Sequence, residues 1–375
     1  MTHDDIAALA TQFTAFARDH QGDPLYARLA TLFADHPHRF ALLDAAPATQ
    51  RKPVLLFAAV HDRLLELHEA GQGLPDLAAY YPSVGGRRTP DEGLAAALEA
   101  FLASEDAQLR PTIAQRTTQT NEVGRSAVLW PALADIAQRH GGRPLALFDF
   151  GCSAGLNLSV DAFRIQYRQP DGRDAFAVGP ADDDPDATVI ACRLLGATPP
   201  TTPWRLGQRL GADLAPVALD DARAVRWLRA CLWPSEHERA LRFERALRQA
   251  RAARHPVRAA DDGLALLADW LHSLPGGTTP VLFNSWVLFY FSPTTLASHT
   301  ARVHALIQEH GLVWLSAEDR HTLHATTGLV APAAPAGAGG TPTWWSASAR
   351  GPGGGVVHRL LACSHPHGEW LDWYP

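Results

Sequence analysis

Leu147-Phe148-Asp149-Phe150-Gly151-Cys152-Ser153-Ala154-Gly155-Leu156-Asn157-Leu158 passes from an apolar strand, through a glycine-bearing turn, into the start of a helix. The strand begins at Leu145 as a nearly continuous apolar run, the pattern of a parallel strand buried on both faces. Glycine lets the chain turn tightly and lets a ligand approach the backbone, and a helix start presents unpaired N–H groups. The order strand, turn, helix is the ligand-binding corner of an open α/β sheet.

Working outward, apolar runs recur at 256–260, 280–284, 311–316 and 356–363, with helical patterns between most of them. Strands alternating with helices imply a mostly parallel sheet with right-handed crossovers. The expected fold class is therefore α/β, a doubly wound, Rossmann-like sheet. The acidic, proline-rich stretch at about 168–203 reads as an insertion over the site, and 330–343 as a loop before the last strands. Upstream, apolar residues from Ile6 to Leu109 recur at helical spacing and are interrupted by glycine and proline clusters. The expectation is an all-α N-terminal cap domain over 1–118 and an α/β domain over 119–375. A helix over about 121–140 should end at Gly141-Gly142.

With 46% hydrophobic and 19% charged residues in 375, the chain can bury two cores. A net charge of −6 supplies no basic footprint, so nucleic acid is not an expected partner. The four cysteines lie far apart, without the paired spacing of zinc sites or disulfide scaffolds, and no metal is expected. No apolar stretch reaches the length of a membrane span, and Met1-Thr2-His3-Asp4-Asp5 lacks the features of a signal peptide. A cytoplasmic protein acting on a small-molecule substrate is the reading that follows, with the oligomeric state left open.

Two chemistries share the turn. In the first, Asp149, Gly151, Ser153, Gly155 and Asn157 cradle S-adenosylmethionine, and a later acidic residue takes the ribose hydroxyls. In the second, Gly151-Cys152-Ser153-Ala154-Gly155 is a Gly-x-Ser-x-Gly nucleophile elbow, completed by Glu318 or Asp319 and by His358, His365 or His367. No oxyanion-hole segment precedes the elbow, and only one strand-helix unit has room before it, which favours the cofactor. A non-catalytic nucleotide- or protein-binding module is the third alternative.

Other positions follow from this frame. Asn121, Glu122 and Arg125, at helical spacing, would share one face; Arg125 is the candidate partner of the cofactor carboxylate, and Asn121 a substrate contact, against a plain surface ion pair of Glu122 with Arg125. Asp213 is the candidate ribose ligand, with Asp220 and Asp221 competing, and Asp261 the candidate for the adenine amino group; helix capping is the alternative for each. Asn284 and Trp286 end the fourth strand, Asn284 as a catalytic contact and Trp286 as a pocket wall. Glu318, after the fifth strand, is the candidate general base.

Five stretches carry a family resemblance: Thr117 to Ser126, Ser153 to Leu158, Gly211-Ala212-Asp213-Leu214-Ala215-Pro216, Arg226-Trp227-Leu228 with Trp233-Pro234, and His365 to Trp370. Over nearly the whole chain the sequence resembles the bacterial domain-of-unknown-function family 2332, which is similar to class I methyltransferases in fold. The resemblance implies that fold and no particular substrate.

Overall fold

The computed structural model describes residues 2–119, 121–181, 187–336 and 341–375. In chain order it holds α1 (His3–Asp19), α2 (Pro24–Ala34), α3 (Pro53–Glu69), α4 (Gly93–Gln115), α5 (Ser126–Arg139), β1 (Leu145–Phe150), β2 (Phe163–Arg168), β3 (Asp174–Val178), β4 (Thr188–Leu194), β5 (Leu206–Asp213), α6 (Ala222–Ala230), α7 (His237–Ala253), β6 (Val257–Ala259), α8 (Gly263–His272), β7 (Thr279–Ser285), α9 (Pro293–His310), β8 (Val313–Glu318), α10 (Arg320–Thr327), β9 (Thr343–Arg350), β10 (Val356–Ser364) and β11 (Trp370–Trp373). None of its helices is long and apolar enough to cross a membrane.

The chain divides into two compact units, Met1–Thr120 with Asp220–Leu241, and Asn121–Leu219 with Arg242–Pro375. The first is helical. Phe13, Phe33, Phe40 and Phe57 pack ring against ring at its centre, as the helical apolar spacing requires. The expected boundary at 118 gave this unit too little chain. Segment 220–241 belongs to it, because Trp227 and Ala230 of α6 are buried in the same core, Trp227 donates its indole N–H to the Thr117 carbonyl, and Arg226 reaches Asp62 and Glu66 of α3.

In the second unit the described strands form one sheet, in the order β3-β2-β4-β11-β10-β9-β8-β7-β1-β5-β6. The stretch β6-β5-β1-β7-β8 is parallel throughout; β9 and β10 then continue antiparallel from β8. The parallel part starts at β1, steps outward through β5 to β6, and restarts on the other side of β1 with β7 and β8. The strand order thus reverses beside β1. Phe148, Leu210, Leu282 and Trp314 point to the face covered by α8 and α9. Asp149 and Asp213 lie one residue from Phe148 and Ala212, so strand alternation turns them to the other face.

Three expectations need correction. The stretch at 168–203, expected as an insertion over the site, supplies β3 and β4, which with β2 build the far end of the sheet, joined to the rest through β11. Its acidic centre, 182–186, lies outside the described residues, as do 337–340 of the expected loop at 330–343 and Thr120 of the first family stretch. The helix expected from 121 begins at Ser126, after a single tight turn at Val123–Arg125. Asn121 and Glu122 are therefore not on a helical face shared with Arg125.

Candidate functional site

The turn after β1 sits at the carboxyl edge of the sheet, where the strand order reverses. Gly151 and Gly155 have φ of 75° and 69°, and a Cβ on either would strike a neighbouring valine, Val287 or Val257. Ser153 holds φ 52° without being glycine, a conformation that L residues adopt at a cost. It is fixed from three directions. Its N–H donates to Asp213 Oδ2 at 2.8 Å, its hydroxyl meets the Asn121 amide at 2.5 Å, and its carbonyl accepts the Val217 N–H. The next N–H, of Ala154, donates to Asn121 Oδ1 at 3.3 Å.

Asp149 and Glu318 both lie buried at this edge. Asp149 is 3% exposed, and its Oδ2 has no hydrogen-bond partner among the described residues. Burial first, then the neighbouring Asp213, raise its pKa to about 7 against the pull of Arg125. Glu318 is 1% exposed. Its Oε1 accepts hydrogen bonds from Asn284 Nδ2 and from the N–H groups of Val287 and Leu288, at 2.8 to 3.1 Å; its Oε2 has no partner among the described residues. Burial raises Glu318 to about 7 against the pull of those donors.

The structure sorts the expected site residues into groups. Asp149, Gly151, Ser153, Gly155, Asn121 and Asp213 come together at the turn. Asn121, expected as a substrate contact, braces the turn. Asp213 lies at the end of β5 and accepts N–H groups from Ser153 and Ala215, one on each oxygen. Arg125 is buried and donates its Nε–H to the Pro366 carbonyl. Asn157 Oδ1 is buried with no partner among the described residues. Asp261 is exposed beyond the end of β6, and Asp262 beside it caps α8.

Asn284 is corrected from a catalytic contact to a support. It is fully buried, its oxygen accepts the Trp314 indole N–H, and its amide serves Ser316 and Glu318. Both amide hydrogens are thus used. Trp286 is half-buried at φ 55° and donates to Thr343 Oγ1; the exposed rings of Phe289 and Tyr290 follow it.

Sequence reasoning missed three parts of this arrangement. Val287 fills the space over Gly151. Gly124 and Gly368 let the first and last family stretches cross in contact, since a Cβ on Gly124 would strike the His367 carbonyl and one on Gly368 the Gly124 carbonyl. A cavity of about 310 Å³ opens beside the turn, lined by Ala154, Gly155, Pro216, Val217, His255 and Val257. The unexplained glycines at 124 and 368 were the one available signal, because glycine marks close backbone approach.

Three of the residues expected to complete the elbow have other partners. Asp319 caps α10 through His321 and Thr322, His358 bonds Ser348 on the neighbouring strand, and Glu318 is committed as described above. The Ala154 N–H, which an elbow would offer to an oxyanion, already donates to Asn121.

A mixed α/β protein with a buried acidic group at a glycine turn on the sheet's carboxyl edge is what fold and site define. The chain belongs to the family described as "Uncharacterized protein conserved in bacteria (DUF2332)", whose model matches residues 10–373. No curated protein matches it. Among solved structures it is similar to DesVI of Streptomyces venezuelae, at 13% identity over 64% of this chain and 75% of that one, with a TM-score of 0.25; a likeness of that size says nothing about activity.

Proposed function

We propose that the carboxyl edge of the parallel strands is a Rossmann-like site for S-adenosylmethionine, and that the chain is a methyltransferase acting on a small-molecule acceptor. One observation carries this: an acidic residue whose buried oxygen has no partner among the described residues, Asp149, lies at the end of β1 just before a Gly151–Gly155 turn at the point where the strand order reverses, the place where open α/β sheets bind ligands.

The donor set fits the molecule. Its ammonium group needs an acceptor, and Asp149 Oδ2 is one. Its carboxylate suits the Arg125 guanidinium, and its ribose hydroxyls suit Asp213, whose oxygens each keep a lone pair beyond the N–H they accept. The apolar cavity beside Gly155 suits the adenine ring. When bound, the cofactor supplies an electrophilic methyl group on a sulfonium centre. The chain's own task is then to orient and to exclude water, through the Val287 side chain over the turn and the aromatic rings of Trp286, Phe289 and Tyr290.

Calorimetric titration with S-adenosylmethionine and S-adenosylhomocysteine tests this on the wild type and on Gly151→Val and Asp149→Ala, with circular dichroism to check folding. Micromolar binding that both variants lose supports the site. Failure of the folded wild type to bind either compound overturns it.

A further inference from the structure

A second site lies at the opposite edge of the same sheet. The helices that follow β6 and β7 run back from the carboxyl edge, so α8 and α9 end near the amino ends of β7 and β8. His272 is the last residue of α8, and Glu309 and His310 are the last two of α9. Their ligand atoms all lie within 4.8 Å of one another. The two imidazole rings are 4.9 Å apart at 78°, and His310 Nε2 is 3.7 Å from Glu309 Oε1.

The His272 ring is also oriented. Its Nδ1 is 2.7 Å from the Ala268 carbonyl, which can only accept, so Nδ1 carries the hydrogen and Nε2 presents a lone pair. A backbone carbonyl that fixes the far nitrogen is the usual outer support of a metal-binding histidine. Both helices direct the negative ends of their dipoles here, which favours a cation.

We infer that His272, Glu309 and His310 bind a divalent transition cation of the zinc type and clip the end of α8 to the end of α9. Two imidazoles and one carboxylate are a zinc ligand set that leaves a fourth position for water. Tetrahedral bonds of about 2 Å bring ligand atoms to roughly 3.3 Å of each other, a closure that the exposed side chains of His272 and Glu309 make by rotation. The site lies at the edge away from the glycine turn, so its role is structural and independent of any cofactor there.

Chelator-treated full-length protein titrated with Zn²⁺ is the test, by calorimetry and by thermal melting. The expected result is one tight equivalent that raises Tm, with affinity at least tenfold weaker and the Tm rise lost in His272→Gln and in His310→Ala. His36→Ala, at an exposed histidine pair in the helical unit, should bind as the wild type does. Zinc binding that survives both His272→Gln and His310→Ala, or a wild type that binds none, overturns the assignment.

Discussion

Asn121 holds Ser153 and its successor at once: its amide nitrogen is 2.5 Å from Ser153 Oγ, and its oxygen accepts the Ala154 N–H at 3.3 Å. An amide cannot take the hydroxyl proton, and the donor that would stabilise an oxyanion is already engaged. A fluorophosphonate probe should therefore leave Ser153 unlabelled, as read by mass spectrometry of the intact protein. Labelling that disappears in Ser153→Ala would restore the hydrolase alternative. Removing the brace in Asn121→Ala should cost about 1–3 kcal/mol in urea denaturation, because it removes two half-buried hydrogen bonds from the turn.

Asp149 gives a pH signature. An unfolded aspartate titrates near 3.9, whereas burial raises the folded group to about 7. Between these values the folded chain keeps a proton that the unfolded chain has released. The group's stabilising contribution is full below about pH 4 and is lost as pH rises through 7, at up to about 1.4 kcal/mol per pH unit. His61 and His299, lowered by burial to about 4, act in the opposite sense: their contribution is present above about 6.5 and is lost as pH falls through 4. The wild-type curve mixes these, so the diagnostic quantity is the difference from Asp149→Asn. That variant should gain about 2–3 kcal/mol relative to wild type between pH 5 and 7.5; a difference that stays constant across the range would show that Asp149 titrates normally.

The parts of the fold that could be read beforehand were those whose pattern has one cause. β1 is apolar at nearly every position because it is covered on both faces, and the helical half repeats at 3.6 because each helix buries a single stripe. β2 escaped notice although Phe163, Ile165 and Tyr167 are buried and alternate with the more exposed Arg164, Gln166 and Arg168. It is covered on one face, and a search for continuous apolar runs passes over such a strand. The acidic stretch behind it reinforced the error. At the turn, Gly151 and Gly155 were readable because the positive φ there demands glycine. The double role of Asn121 and the burial of Asn284 were not, since both depend on partners about 30 residues away.

Arg226, in one of the family stretches, should prove structural. Its guanidinium lies within 3.0 Å of both Asp62 and Glu66, and the Arg226 and Asp62 side chains are each only 12% exposed. Burial raises the Asp62 pKa despite the arginine, so removing the arginine strands a buried acid. Arg226→Met should destabilise the chain by about 3–5 kcal/mol in denaturant unfolding. Adding Asp62→Leu to that variant should recover most of the loss, because a buried pair replaced by apolar groups is close to neutral. A double variant no better than the single would show that packing around α6, rather than charge, sets the cost.

Glu318 poses the sharpest choice between chemistry and architecture. One oxygen takes three hydrogen bonds, two of them from the backbone of the Val287–Leu288 turn that covers Gly151, and the other is bare. The first oxygen makes Glu318 a positioning residue for that turn; the second is what a general base would use. Glutamine keeps the accepting oxygen and cannot take up a proton, while alanine removes both functions. Glu318→Ala should cost about 2–4 kcal/mol, since it leaves three donors unsatisfied, and should remove hydrogen-exchange protection at the Val287 and Leu288 amides. Glu318→Gln should retain that protection and at least half of the lost stability. At the proposed site, affinity for S-adenosylmethionine should follow the same order, alanine losing it and glutamine keeping it within a few fold, because the turn that covers Gly151 is intact only in the second. If glutamine proved as damaging as alanine to the backbone protection, the anchoring role would be wrong, and the bare oxygen would be the one that matters.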